Sequence, residues 1–237
     1  MICVCLPTYN ERENLEAMVE RLGGILGDDA VVLVIDDNSP DGTGEIADRL
    51  AAERERVHVL HRPRKEGLGP AYLDGFRRAL ELGAELILEL DCDFSHDPAD
   101  VPRLVAAADE ADLVLGSRYV PGGGTRNWGA LRRLISRGGS LYAQLLLGVP
   151  IRDLTGGFKC YRRAVLETID LGAIHSKGYA FQIETTYRAL RAGFRVVEVP
   201  IVFVDREIGG SKMSRSIVLE AVWKVPALRL ASLRSRA

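Results

Sequence analysis

Residues 86–93 read Leu-Ile-Leu-Glu-Leu-Asp-Cys-Asp, and how this octapeptide is parsed decides the fold. Its first five residues are a short apolar run, a buried strand, and the run ends in two carboxylates. If extended geometry continues through the exit, Asp91 and Asp93 stand at i and i+2 and face the same side. Two carboxylates so close repel unless a cation joins them, and hard oxygen donors suit Mg²⁺ or Mn²⁺. The plainer reading of the pair is a loop that caps a following helix, since Asp97-Pro98 comes soon after. Glu89, two residues before Asp91, is either a third acid on the same face or a solvated rim residue.

Working outward, the same kind of strand recurs at 2–6, 31–35, 57–60 and 113–115, with helical periodicity between at 11–26, 43–53, 70–82 and 102–111. On 11–26 the stripe is Leu15, Met18, Val19 and Leu22. Short, wholly apolar strands alternating with helices predict an α/β fold, a mostly parallel sheet covered on both faces. Beyond 116 the pattern changes. Helices are expected at 131–147, 164–168 and 182–192, and strands at 195–199 and 201–204 around Pro200. The tail, 216–236, is amphipathic with an interruption at Pro226.

Composition narrows the functional classes. The 237 residues carry 31 Lys and Arg against 33 Asp and Glu, and 47% are hydrophobic. A charge near zero argues against a dedicated nucleic-acid binder, and the apolar content excludes a disordered chain. Cys3, Cys5, Cys92 and Cys160 lack zinc-site spacing and read as buried, reduced thiols of a cytosolic protein. The N-terminal MICVCLPTYNERE has no positive n-region and does not read as a signal peptide. No apolar run is long enough for a membrane-spanning helix.

In an open α/β sheet, ligands bind beyond the carboxyl ends of the strands. Those exits here are 7–11 (PTYNE), 36–39 (DDNS), Arg62, 91–93 (DCD) and 116–118 (GSR), all polar and three of them acidic. No G-x-G-x-x-G follows the first strand and no G-x-x-x-x-G-K-[ST] occurs, so a nucleotide is not held by a glycine-rich turn. Asn10 or Thr8 can cap the first helix, and Tyr9, in a turn, offers a ring that can stack on a base. The four histidines never pair at metal spacing. His96 either reaches the metal shell or a substrate phosphate, or packs in its loop.

The segments PTYNERENL, IDDNSPDGT, RPRKEGLGPAYLDGF, DCDFSHDP, GSRY, RRLISRG, LTGGFKCYRR, SKGYAFQIE and EVPIVFVDREIGGSKM resemble family 2 glycosyltransferases, in order, from about residue 2 to 215. Within that family they resemble the synthases of dolichol- and polyprenol-phosphate mannose. The resemblance implies the GT-A nucleotide-diphosphosugar fold over 1–215; the residues beyond it, 216–237, read as an amphipathic, basic C-terminal appendage. It implies inverting transfer of mannose from GDP-mannose to a polyprenyl or dolichyl monophosphate. Pro7, Tyr9, Glu11, Ile35 and Asp37 match nucleoside-holding positions. Asp91 and Asp93 match the ligands of Mg²⁺ or Mn²⁺, with Cys92 touching the nucleotide through its backbone. Arg118, Arg206 and Lys212 match donor phosphate and sugar contacts, and Arg118, Arg132 and Ser136 surround the acceptor phosphate. Some relatives carry a metal-assisting Gln where this chain has Ser95.

Two charged substrates must be brought together, so cations have to offset their repulsion, and Arg118, Arg132, Arg206 and Lys212 are expected to supply charge. A phosphate ionised at neutral pH needs no general base. Rival readings are a same-fold transferase using UDP-glucose or a hydroxyl acceptor, and a D-x-D phosphohydrolase. The latter class places its motif after the first strand, not the fourth. A binding module would not need both aspartates. A lipid acceptor implies a peripheral protein at the cytoplasmic face of a membrane, by its own surface or through an anchoring partner. The tail, with Lys224, Arg229, Arg234 and Arg236 among leucines, is either a helix packed on the core or an interfacial helix drawn to anionic lipid.

Overall fold

The computed structural model describes residues 1–205 and 215–234. Its strands are β1 (Ile2–Thr8), β2 (Ala30–Asp36), β3 (Val57–His61), β4 (Leu86–Glu89), β5 (Leu113–Ser117), β6 (Gly124–Arg126), β7 (Lys159–Arg162), β8 (Val196–Pro200) and β9 (Val202–Val204). Its helices are α1 (Leu15–Leu26), α2 (Thr43–Glu53), α3 (Leu68–Glu81), α4 (Val101–Ala107), α5 (Ala130–Leu147), α6 (Arg163–Thr168), α7 (Gly178–Arg191) and α8 (Arg215–Arg234). Seven strands form one sheet in the order β3-β2-β1-β4-β7-β5-β8, and β6 pairs with β9 in a small second sheet.

Period-two alternation divides the core. Cys3, Cys5, Leu33 and Ile35 point to the side covered by α3, α5 and α7, where Phe76, Tyr161 and Phe181 fill the layer. Val4, Leu6, Val32, Val34 and Leu88 point to the other side, against Met18, Leu22, Leu50 and Leu104 of α1, α2 and α4. Neither face of these strands meets water, which is why they read as unbroken apolar runs. All four cysteines are buried and none forms a disulfide.

The sheet is parallel except for β7, which lies antiparallel between β4 and β5. Periodicity did not predict this strand, because Lys159-Cys160-Tyr161-Arg162 does not read as apolar. Yet Lys159 is fully buried. Its Nζ donates to the Gln182 carbonyl at 2.8 Å and the Thr185 hydroxyl at 3.0 Å. It stands in register with Glu89 on β4. Burial lowers the Lys159 pKa to about 8, against the pull of Glu89. Burial likewise raises Glu89, with Lys159 opposing. Of the two readings of Glu89, the solvated rim fails: the side chain is inaccessible and accepts from Tyr161 Oη at 2.8 Å.

Two local expectations are corrected. The first helix begins at Leu15, not at 11, and neither Asn10 nor Thr8 caps it. Asn10 takes φ +58° and its N–H donates to Ser39 Oγ, while the Thr8 hydroxyl donates to the Ile35 carbonyl. At the C-terminus α8 runs through Pro226 without interruption. Its Val225 is fully buried and Leu228 packs against the same cluster, so this part of the tail closes the core.

Candidate active site

The strand exits converge on one cavity of about 480 Å³. β1 delivers Pro7, Thr8, Tyr9 and Glu11, β2 delivers Asp37, β4 delivers Asp91, Cys92 and Asp93, and β5 delivers Arg118. Arg132 enters from α5. Nine of the expected residues therefore share one space. Ile35 does not join them. Strand alternation turns its side chain into the core beneath α3, where Gly75 leaves room for it. Ser136 is not in the lining either; its hydroxyl accepts from Tyr119 Oη at 2.7 Å. Arg206 and Lys212 lie outside the described residues.

Asp91 and Asp93 sit on a braced turn. Tyr72 Oη of α3 donates to Asp91 Oδ1 at 3.1 Å, and the Ser95 N–H donates to Asp93 Oδ1 at 2.9 Å. Phe94, directly after Asp93, takes φ +57°. That region is rare for a bulky side chain and strained backbone clusters at functional sites. Ser95 Oγ is buried with no protein partner. Two carboxylates and an orphaned hydroxyl within five residues, 91–95, are a hard-oxygen donor set, which fits Mg²⁺ or Mn²⁺. His96, one residue on, borders the same cavity but packs its ring against Phe158 and Phe203. Burial lowers its pKa to about 4, so it is neutral at physiological pH.

Arg118 is not a loose cation. Asp153, wholly buried in the loop before β7, accepts from its backbone N–H at 2.9 Å, from Nε at 2.7 Å and from Nη2 at 2.7 Å. Thr155 Oγ1 accepts from Nη2 at 2.9 Å. Burial would raise the Asp153 pKa, but the guanidinium overrides it and holds the carboxyl below its usual range. Glu198 of β8 anchors this arrangement by accepting from the N–H groups of Arg152 and Asp153. The hydrogen bonds of Arg118 run through its N–H, Nε and Nη2, and the residue lines the cavity. Arg132 pairs with Asp205 at 2.5 Å and lies 4.4 Å over the Trp128 ring.

On the nucleoside side, Arg62 bridges Asp37, Asp74 and Glu66. Burial raises the Asp37 pKa despite that guanidinium. Lys65 Nζ covers the Tyr9 ring at 3.7 Å.

The sequence reading missed Asp153, Trp128, Lys65 and Lys177 as individuals. Nothing local marks Asp153, since its partner is 35 residues away. Their presence changes the electrostatics. Four carboxylates (Glu11, Asp37, Asp91, Asp93) and four cations (Lys65, Arg118, Arg132, Lys177) line the cavity. Asp153 and Asp205 stand behind two of those cations. The described lining, which includes Arg118 and Arg132 but neither Arg206 nor Lys212, thus balances its charges and offers phosphates no surplus positive charge.

Residues 3–170 match the family described as Glycosyl transferase family 2. The chain is 54% identical over 224 residues to the polyprenol monophosphomannose synthase of Mycolicibacterium smegmatis, covering 94% of this chain and 84% of that one. It is 52% identical over 231 residues to the undecaprenyl-phosphate mannosyltransferase of Micrococcus luteus, covering 98% and 95%. Among solved structures it resembles glucosyl-3-phosphoglycerate synthase from Mycobacterium tuberculosis in complex with phosphoglyceric acid, with TM-score 0.71, 18% identity, and 96% and 79% of the two chains covered. The same enzyme with Mn²⁺, UDP-glucose and phosphoglyceric acid matches with TM-score 0.67 at 20% identity, over 95% and 79%. At such identities the likeness speaks for the fold.

Proposed function

The chain belongs to glycosyl transferase family 2 and has the GT-A fold, and from that premise we propose that it transfers mannose from GDP-mannose to a polyprenyl monophosphate. What carries the sugar and the acceptor is likeness, across more than nine-tenths of the chain, to two enzymes named for that product and that transfer. In this reading Pro7, Tyr9, Glu11 and Asp37 hold the nucleoside, and Arg62 sets the orientation of Asp37.

Asp91 and Asp93 hold Mg²⁺ or Mn²⁺, which when bound offsets the diphosphate charge and eases its departure. The balanced lining supports that role, because the protein's own described side chains leave the phosphates uncompensated. Arg118, clamped by Asp153, is held in a fixed direction and needs no reorganisation when charge develops on the leaving group. Arg132 receives the acceptor phosphate at the cavity mouth. That phosphate is ionised at neutral pH and is itself the nucleophile, so no side chain has to take a proton. Direct displacement inverts the anomeric carbon. The acceptor's chain stays in a bilayer, so the protein works peripherally at a membrane surface; no described helix is long and apolar enough to cross one.

Calorimetry with GDP-mannose and UDP-glucose, followed by transfer of labelled mannose to undecaprenyl phosphate, tests the reading. GDP-mannose should bind more tightly, and Arg132→Ala should raise the apparent acceptor KM with donor binding nearly intact. Tighter binding of UDP-glucose would reject mannose in favour of another donor. Loss of donor binding in Arg132→Ala, with acceptor dependence unchanged, would misplace the acceptor phosphate.

A further inference from the structure

One helix is built inside out. At 100° per residue, Leu131, Leu134, Ile135, Leu141, Tyr142 and Leu145 of α5 fall within about 120° of arc. All six are exposed, Leu131, Leu134 and Leu145 to 69%, 71% and 72%. The opposite arc, Ser140, Ala143 and Leu147, is the buried one. In an ordinary surface helix the apolar stripe packs on the core. Here the wider stripe faces outward, and exposed apolar patches of this extent mark interaction sites.

The patch continues onto α8. Tyr142 Oη donates to the Val222 carbonyl at 2.9 Å, and next to it Trp223 is 77% exposed. Its charge is one-sided. Arg137 falls about 40° beyond one edge of the stripe and Arg133 about 40° further round, both exposed, and α5 contains no acid; neither does 222–231, which carries Lys224 and Arg229. At its N-terminal end α5 reaches the active cavity, lined there by Trp128 and Arg132. No side-chain cap covers the N–H groups of its first turn.

We infer that α5, with the Trp223 end of α8, lies in the interfacial plane of an anionic bilayer, with the cavity mouth at the level of the lipid headgroups. The inference rests on the polyprenyl-phosphate reading and names the surface on which that reaction takes place. The apolar arc enters the headgroup–acyl boundary while Arg137, at the edge of that arc, meets lipid phosphates, the composition expected of an interfacial helix. An acceptor phosphate then passes from the bilayer to Arg132 along α5 while its chain stays in lipid. A second copy of the chain is a poorer occupant. A two-fold contact through this face would gather basic side chains of both copies with no acid on α5 to pair them.

Flotation with vesicles of phosphatidylcholine, alone or mixed with phosphatidylglycerol, provides the test. The wild type should bind the anionic vesicles more strongly, less so in high salt, and Trp223 emission should shift to the blue on binding. Leu134→Asp with Leu145→Asp should cut vesicle binding at least roughly tenfold. The thermal unfolding curve should stay unchanged, because both positions face solvent. Transfer to a water-soluble short-chain isoprenyl phosphate should persist in that variant, and transfer to vesicle-borne acceptor should fall. Wild type that ignores anionic vesicles overturns the inference. So does a double variant that binds them as well as wild type, or a wild-type dimer that the substitutions dissociate without any vesicle binding. If the wild type transfers to neither acceptor while the variant loses vesicle binding, the acceptor reading fails and the membrane face stands.

Discussion

Asp153→Asn is the perturbation that most directly tests the clamp on Arg118. The substitution keeps the shape but removes the charge, and it sets an amide NH₂ against guanidinium N–H donors. In the native protein the carboxylate is wholly buried and accepts three hydrogen bonds from Arg118. Removing one partner of a buried ion pair costs roughly 3–5 kcal/mol, mostly because the other charge is left unpaired. Arg118 borders a cavity that water can reach, so the lower end applies, about 3 kcal/mol. At ~2–4 °C per kcal/mol for a domain of this size, Tm should drop by about 6–12 °C. Urea denaturation at pH 7 measures the free energy itself. Arg118→Met alone should also destabilise, and the double variant should recover part of the loss, with a coupling of ~2 kcal/mol. The acid limb should change too. The Asp153 pKa is depressed in the folded state, so its contribution is present above pH ~3.8 and fades as pH falls below it. A loss under ~1 kcal/mol with additive single effects would refute the clamp.

Four further outcomes are expected. His96 is neutral in the native state with a pKa near 4, against ~6.5 when unfolded. Stability should therefore fall between pH 6.5 and 4 by up to about 3 kcal/mol; urea midpoints at pH 7 and 4.5 should converge in His96→Phe, and an unchanged pH dependence there would remove His96 as the cause. Asp93→Asn should abolish Mn²⁺-dependent donor binding by calorimetry without altering the far-ultraviolet spectrum, and wild-type binding would move the metal site elsewhere. Gly69→Ala would place a Cβ 2.7 Å from the Ser176 carbonyl and 3.2 Å from the Phe181 ring, so it should cost ~1–3 kcal/mol. Gly24→Ala meets nothing within 4 Å on α1 and should be neutral or stabilising by thermal melts.

What the sequence displayed and what it hid divide along physical lines. Strands buried on both faces must be apolar throughout, so β1, β2, β4 and β5 were visible as runs, and their exits located the cavity. Asp91 and Asp93 were legible because i, i+2 spacing survives the strand end. β7 was not, because its buried Lys159 is stabilised by a carbonyl and a hydroxyl from α7, contacts no local pattern announces. Asp153 was hidden for the same reason. The core placement of the Ile35 side chain was not legible, because adjacency to Asp36 and Asp37 does not reveal which face of β2 it occupies. At 131–147 a helix was expected, but helical periodicity alone does not say which side meets the core. Only the packing of Ser140, Ala143 and Leu147 decides that.

The antiparallel strand also sets a timetable for folding. β4 and β5 do not touch each other; the ladder between them is completed by a segment that leaves the ribosome some 40 residues after β5. Until then the nascent sheet is two pieces, β3-β2-β1-β4 and β5 awaiting β8, each with an inner edge of unpaired N–H and carbonyl groups. Such edges template pairing with other chains. Closing the sheet requires contacts of high sequence separation, which fold slowly. Chains interrupted between β5 and β7 should therefore aggregate through the exposed β4 and β5 edges, while completed chains gain solubility when Lys159 slides into register with Glu89 and joins the two halves.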